Sequence, residues 1–423
     1  MKNLIIKFAA IVAGLLAFTC QVGSTDGQNY SVAKSQEHFS GTIALAPNVN
    51  SIVNSNNRFA LELYQRLSQT EGNLFFSPYS LSTALAMTYG GAAGQTAEQI
   101  AEVLHFSLEP EAIHPAFSQL ADIINIEASQ GYQIQIANRL WGQQEYGFLP
   151  SFLKLTKDYY GAGLEQVDFE NDTEASRQLI NQWVAEATQE AIEDLIPEGI
   201  LHDWTRLVLT NAIYFQGNWL LPFSLQDTEE NSFTLISGEQ ITVPMMYQRN
   251  RFWYGNCNGL EVLRLFYVDY GVSMLILLPE IHDTLNLLEQ ELSPEMLEEF
   301  TLCADREYMV ELWLPKFKIS TEFELKQTLS QMGMDMAFTK ESANFAGMNG
   351  NSQGLYLSAV VHKAFVDVNE VGTEAGAASG VMAGSRSTAP PATFRADRPF
   401  IFLIQENESD SILFLGRVVN PLN

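Results

Sequence analysis

One cation stands alone in the stretch NEVGTEAGAASGVMAGSRSTAPPATF, residues 369–394. Between Glu374 and Arg395 the single charge is Arg386, with Ser385 and Ser387 on either side. An arginine among small residues, in a segment with no helical tendency, suits an arginine-specific serine protease. Such an enzyme takes the guanidinium into a pocket with a carboxylate at its base. The same composition also suits an idle surface loop that any protease would nick. Proline separates the two halves of the stretch. The first half has none, whereas Pro390 and Pro391 stand in the second. Proline cannot join the interior of a sheet, so the residues before Arg386 can become a strand and those after it cannot easily do so.

No enzyme constellation accompanies this bond. The glycine cluster GGAAGQT at 90–96 lacks the Gly-Lys-Ser/Thr of a phosphate loop. There is no G-x-S-x-G elbow and no H-E-x-x-H. The histidines, at 38, 105, 114, 202, 282 and 362, lack metal spacing. His362, in the apolar run LYLSAVVHKAFVDV, reads as a hydrogen-bonded core histidine. The expectation is a protein that is not an enzyme and needs no cofactor or metal. With 23 Lys+Arg against 50 Asp+Glu, the surface repels nucleic acid and anionic glycans. Beyond Cys20, only Cys257 and Cys303 remain, which reads as two buried free thiols.

The elements that must position the loop are mixed. NRFALELYQRLSQ spaces Phe59, Leu63 and Leu67 as one helix face. TEASRQLINQWVAEATQEAIEDLIP spaces Leu179, Trp183 and Ala187 likewise, with Ile192 and Leu195 continuing the core and a stop at Pro197. YQIQIANRLWG alternates as a strand, and GVSMLILLPE reads as a strand buried on both faces. FKIS follows Pro315 as an edge or bulged strand. RPFIFLIQENESDSILFLGRVVN reads as a hairpin. The irregular order of helices and strands predicts an α+β fold.

At the N-terminus, Lys2 and Lys7 precede an apolar run from Phe8 to Phe18. This has the shape of a signal peptide of bacterial type, followed by Cys20 as a candidate lipid anchor. The expectation is therefore an exported protein, secreted, periplasmic or attached to the cell envelope. Residues 1–20 form the leader and residues 21–50 a flexible polar linker. Residues 51–423 form a single domain, with the loop at about 370–394. Asn171 and Asn407 head glycosylation sequons, and the leader argues against their use.

Five segments give the chain a family likeness: NLFFSPYSLSTALAMTYGGAAGQT (73–96), WTRLVLTNAIYFQGNW (204–219), VELWLPKFKIS (310–320), LYLSAVVHKAFVDVNEVGTEAGAAS (355–379) and FRADRPFIFLI (394–404). In this order they resemble the serpins. The resemblance implies one domain of three β-sheets and eight or nine helices, with an exposed reactive-centre loop. It implies a metastable, monomeric protein that traps a serine protease as a covalent acyl-enzyme. The cleaved loop then inserts into the main sheet. In this family the scissile residue lies sixteen positions beyond the hinge glutamate. That glutamate matches Glu370, and the count lands on Arg386, with Ser387 after the cut. The implied target is a trypsin-like protease.

The hinge, Glu370, Gly372, Thr373, Glu374, Ala375, Gly376, Ala377 and Ala378, has the right pattern for insertion. Alternate strand residues face opposite sides. Thr373, Ala375 and Ala377 are small and fit for burial, while Glu374 falls on the other parity. Gly376 departs from the usual alanine, and glycine weakens strands. In the uncleaved chain Thr373 is expected at or near the exposed loop. By the resemblance, Ser77, Ser80, Asn211 and His362 form the shutter under the middle of the main sheet. Trp219 marks the breach at its top, and Lys316 pairs with Glu370. Heparin activation is not expected, because HPAFSQLADIINIEASQ (114–130) carries no Lys or Arg. The competing reading is a non-inhibitory serpin serving as a binding or chaperone module. The small hinge residues favour the inhibitor.

Overall fold

A computed structural model describes residues 45–127, 132–161, 163–257, 259–282, 284–373 and 389–423. The chain runs α1 (Pro47–Leu67), β1 (Leu74–Phe76), α2 (Pro78–Tyr89), α3 (Gln95–Val103), α4 (Pro110–Glu127), β2 (Tyr132–Gln143), α5 (Pro150–Tyr160), β3 (Leu164–Val167), α6 (Thr173–Ala187), β4 (Leu207–Asn218) and β5 (Glu229–Thr234). It continues through β6 (Gln240–Cys257), β7 (Leu260–Phe266), β8 (Val272–Pro279), α7 (Leu285–Glu291), α8 (Pro294–Cys303), β9 (Glu307–Pro315), β10 (Phe317–Glu324), α9 (Lys326–Leu329) and α10 (Ala346–Asn349). The last elements are β11 (Leu357–Val368), β12 (Gly372–Thr373), β13 (Pro391–Arg395), β14 (Phe400–Glu406) and β15 (Ser411–Val418).

Helices and strands are mixed without βαβ alternation, as an α+β fold requires. Among the described residues, six strands form one sheet in the order β10-β11-β12-β4-β2-β3. Nine form the other, with β5 paired to β6 beside the path β1-β15-β14-β8-β7-β6-β9-β13. Strand β6 joins two smaller sheets into this larger one. Its Met245–Trp253 stretch pairs with β9 and its Trp253–Cys257 stretch with β7. Three sheets by the family's count are thus two hydrogen-bonded bodies here.

The apolar runs fall where their patterns put them. Every residue of β8 is buried, and β14 and β15 form the antiparallel C-terminal hairpin. Strand β10 pairs with β11 on one side and ends the six-stranded sheet. Phe59, Leu63 and Leu67 are buried on α1. Helix α1 itself starts at Pro47, inside the stretch expected to be linker.

The stretch after Arg386, not expected to form a strand, does so from Pro391: β13 pairs parallel with β9 at the end of the nine-stranded sheet, an edge position where proline is tolerated. Two further expectations need correction. On α6 the buried row is Ser176, Ile180 and Val184, while Leu179 is half exposed. The helix stops at Ala187 rather than running to Pro197, and Thr188 closes it by accepting from the Ile192 amide at 3.1 Å. Ile192, Leu195 and Ile196 then pack against Trp141, Val208 and Ala212 on one face of the six-stranded sheet. The cysteines are the second correction. Cys257 at the end of β6 and Cys303 at the end of α8 form a disulfide, their Cα atoms 6.4 Å apart, within the bridging range. Packing of α8 over β6 makes that proximity, and a separation of 46 residues hides it.

Candidate functional site at a seam in the six-stranded sheet

Strands β4 and β11 run parallel and pair from Leu207 and Leu357 up to Tyr214 and Phe365. Beyond that point they part, and β12 enters between them. Gly372 stands opposite Asn218, and Thr373 stands between Gly217 and Val368. The entry is tight. A Cβ on Gly372 would come 2.0 Å from the Gly217 carbonyl oxygen, and one on Gly217 would come 2.7 Å from the Tyr267 ring. Two glycines therefore let the two backbones cross. Thr373 is fully buried, with its hydroxyl 2.7 Å from the Tyr267 hydroxyl. The expectation that Thr373 lies at the exposed loop is corrected by this pairing: the first inward hinge residue is already a strand residue.

The turn leading into β12 is fixed at several points. The Glu370 carboxylate lies 2.9 Å from Lys316 Nζ and accepts from Thr228 Oγ1 at 2.9 Å. Burial pushes this carboxyl up, but the hydrogen bonds from Lys316 and Thr228 outweigh burial and hold it below its ordinary value. The Phe223 amide donates to the Glu370 carbonyl at 2.8 Å. Trp219 donates its amide to the Val371 carbonyl at 2.9 Å and its indole N–H to the Asn369 carbonyl at 3.0 Å. Its ring stacks on Tyr267 with centroids 4.5 Å apart.

Midway down the seam lies a polar cluster in an apolar setting. Ser77 caps α2, its Oγ accepting from the Ser80 amide at 3.1 Å and donating to the Leu413 carbonyl at 2.6 Å. The Ser77 amide donates to His362 Nε2 at 3.2 Å. A backbone amide can only donate, so Nε2 carries no proton and the ring is protonated at Nδ1, which faces Asn211 Oδ1. Asn211 Nδ2 in turn donates to Ser80 Oγ at 2.7 Å. Burial drives His362 down to about 3, so it is neutral at physiological pH.

Asn138 on β2 completes this cluster and was missed in the sequence. It sits in register with Asn211, its Oδ1 accepting from Asn211 Nδ2 and from Ser80 Oγ at 3.1 Å. An asparagine in the alternating run QIQIANRLWG reads as solvent-facing. Only the strand register brings it, half-buried, against Ser80 and Asn211. Tyr267 and Thr228 were missed for the same reason, since both meet the hinge from distant segments.

The seam is therefore a parallel strand pair, opened at its head by β12 and bridged by polar groups at its middle. The hinge residues Glu374, Ala375, Gly376, Ala377 and Ala378 and the bond Arg386–Ser387 lie outside the described residues, as does Cys20. Among the described residues no His/Cys/Asp/Glu group could hold a metal.

A family model described as Serpin (serine protease inhibitor) matches residues 54–421. The human leukocyte elastase inhibitor is 41% identical over 376 residues, spanning 87% of this chain and 98% of that protein. The leukocyte elastase inhibitor of Xenopus laevis is 43% identical over 377 residues, spanning 86% and 97%. Among solved structures, a serpin of the insect Tenebrio molitor described as highly specific, Serpin48, superposes with a TM-score of 0.79 at 32% identity, covering 88% of this chain and 98% of that one. The chain belongs to the serpin family. Serpins are inhibitors that capture serine proteases as covalent complexes and are not themselves enzymes.

The expectation of export is overturned here. The chain covers 98% of leukocyte elastase inhibitors from human, rat and mouse, while the family match starts only at residue 54. The leader that carried the expectation has no counterpart in these relatives, so the assignment to the exterior or the cell envelope is withdrawn.

Proposed function

We propose that this serpin is a suicide substrate for trypsin-like proteases and is cut after Arg386. The protease serine oxygen adds to the Arg386 carbonyl carbon. The Arg386–Ser387 amide breaks, an ester to the protease forms, and the amine of Ser387 leaves with the proton taken up by the protease histidine. The freed strand then extends β12 down the seam before water can cleave the ester.

The observation that carries this reading is the start of β12 between β4 and β11, where Gly372 and Thr373 already stand in register. A strand continued from there needs only small inward residues, which Ala375 and Ala377 supply. At ~3.3 Å per residue, the stretch from Thr373 to Arg386 spans roughly 45 Å, a large displacement for an attached protease.

Incubation with trypsin, followed by denaturing electrophoresis and mass analysis of the released peptide, is the test. A denaturant-resistant complex and a peptide beginning at Ser387 are expected. A complex with a different peptide N-terminus would move the bond. Quantitative cleavage with no complex would leave a non-inhibitory serpin.

A second reading has one observation behind it. The relatives are named for leukocyte elastase, and Val381, Met382 and Ala383 lie just upstream of Arg386. Elastase in the same assay, with a released peptide beginning before Ser387, would favour that target class.

A further inference from the structure

We infer that the cleft around Trp204, at the lower end of the seam, is the seat that receives Arg386 once the loop has inserted. This rests on the proposed cleavage after Arg386 and adds where that residue ends.

The register sets the destination. Thr373 pairs antiparallel with Gly217 on β4 and with Val368 on β11. Each further residue of an inserted strand steps one place back along both neighbours. In-register pairing would run to Ala383, opposite Leu207 where β4 begins, and Arg386, three residues further, would come to the level of the turn that holds Trp204. On the other bank it comes opposite Gly354 or Leu355, the bulge between Leu357 and Ala359 deciding which.

A cleft of about 390 Å³ already exists there. His202, Trp204 and Thr205 form the bank that leads into β4. Tyr356 and Ser358 form the bank of β11, and Glu324 stands at the end of β10. Ser358 Oγ accepts from the Arg206 amide at 2.9 Å, so the two banks are tied across the line a new strand would take.

Trp204 is built for a cation arriving from outside. It is 59% exposed, an unusual position for a large aromatic ring. Its backbone carbonyl accepts from the Tyr356 hydroxyl at 2.8 Å, and its ring stacks on His202 with centroids 4.3 Å apart. The indole is thus held in place with surface to spare. Parity agrees as well. Thr373 faces the core, so even-numbered residues of the inserted strand, Arg386 among them, face the other way. A guanidinium over an indole face is a favourable cation–π pair, and since the cleft carries both the Glu324 carboxylate and the Lys326 cation, the ring rather than net charge is what would hold it. The seat competes with the protease's own carboxylate pocket for one guanidinium. It would draw Arg386 out of the pocket that aligns the ester for hydrolysis.

The test compares intact and trypsin-treated protein by hydroxyl-radical footprinting read at Trp204, together with the lifetime of the covalent complex. Oxidation of Trp204 should fall about five-fold or more in the complexed and cleaved forms. Trp204→Ala should form the complex but shorten its half-life about five-fold, and Trp204→Phe should restore most of it. If the complex forms and the Ser387 peptide is released while Trp204 stays as oxidisable as before, the seat is wrong and the proposed function stands. The same holds if Trp204→Ala complexes last as long as wild type. Without a complex or that peptide, both fall.

Discussion

The two sheets of this serpin are built on opposite principles. In the nine-stranded sheet, β8, β14 and β15 are buried along their whole length. Phe75 stacks on Phe402 and Phe414 with centroids 5.7 and 5.1 Å apart, and the β14–β15 hairpin is antiparallel with one bulge. In the six-stranded sheet the central pair β4–β11 is parallel, parted at its head and held at its middle by serine, asparagine and histidine. Apolar packing fixes one sheet as a scaffold. In the other, hydrogen bonds bridge a strand pair that is parted at its head, where β12 enters. On the proposed mechanism, strand insertion would draw on this one seam rather than on the whole molecule.

The largest effects should come from breaking either side of this contrast. Phe402→Ala removes a fully buried ring and should cost about 3–5 kcal/mol, equally in the intact and the cleaved protein, as denaturant titration of both would read. Ala377→Arg should act on one form alone. Four residues beyond Thr373, position 377 of an inserted strand would stand between Ile213 and Ala364, both fully buried. An unpaired charge there costs several kcal/mol. The intact variant should melt as wild type does. After cleavage it should gain little of the wild-type rise in Tm, and it should be turned over as a substrate without a lasting complex. A variant that inhibits normally would remove the seam from the mechanism. Thr373 cannot serve for this test, because it is buried before any cleavage.

A smaller effect is expected from acid. His362 and His114 are held down by burial, to about 3 and about 4 from an ordinary 6.5. Each is neutral when folded and takes up a proton on unfolding below pH 6.5. The unfolded state therefore binds more protons in this window. Stability is complete above 6.5 and falls as pH drops toward the folded values, by about 1.4 kcal/mol per pH unit for each histidine. Glu406 and Asp410, raised by burial, work in the opposite sense. The informative quantity is thus the difference between wild type and His362→Gln from pH 6.5 to 4.5. The variant should lose one histidine's share of the slope. Equal slopes would mean that His362 is not neutral in the seam.

What could be read in the sequence follows the range over which each signal acts. The C-terminal hairpin, β8 and the α1 face are written in local periodicity, and the structure has them. The α6 face is not, because Leu179–Trp183 and Ile180–Val184 are adjacent rows of equal apolarity. Only the tertiary setting chooses, with Arg139 lying over the Trp183 ring at 4.1 Å and leaving Leu179 outside. Asn138 and Tyr267 are invisible for a related reason. Their partners, Asn211 and Thr373, are 73 and 106 residues away, and no spacing rule spans that distance. The parity read for the hinge from Glu374 onward lies outside the described residues. That Thr373 is paired before cleavage was not legible, since it depends on Gly217 and Gly372 meeting across two strands.

The smallest effect tests that last point directly. Tyr267 and Thr373 share one hydrogen bond, 2.7 Å long, with both residues buried. Tyr267→Phe strands the Thr373 hydroxyl, and Thr373→Val strands the Tyr267 hydroxyl. Each should cost about 1–2 kcal/mol in the intact protein, because an unsatisfied buried donor forfeits its solvation. Removing both partners together should cost little more than either alone. A double-mutant cycle in denaturant would then give a coupling of about 1 kcal/mol. Complex formation with a protease should change less than about two-fold, because the strand extends from Glu374 onward and this bond is already made at the start. Were Thr373 still in the loop before cleavage, Tyr267→Phe would be nearly silent and the coupling would be absent. The seam would then have no strand at its head, and the contrast with the scaffold sheet would lose its sharpest point.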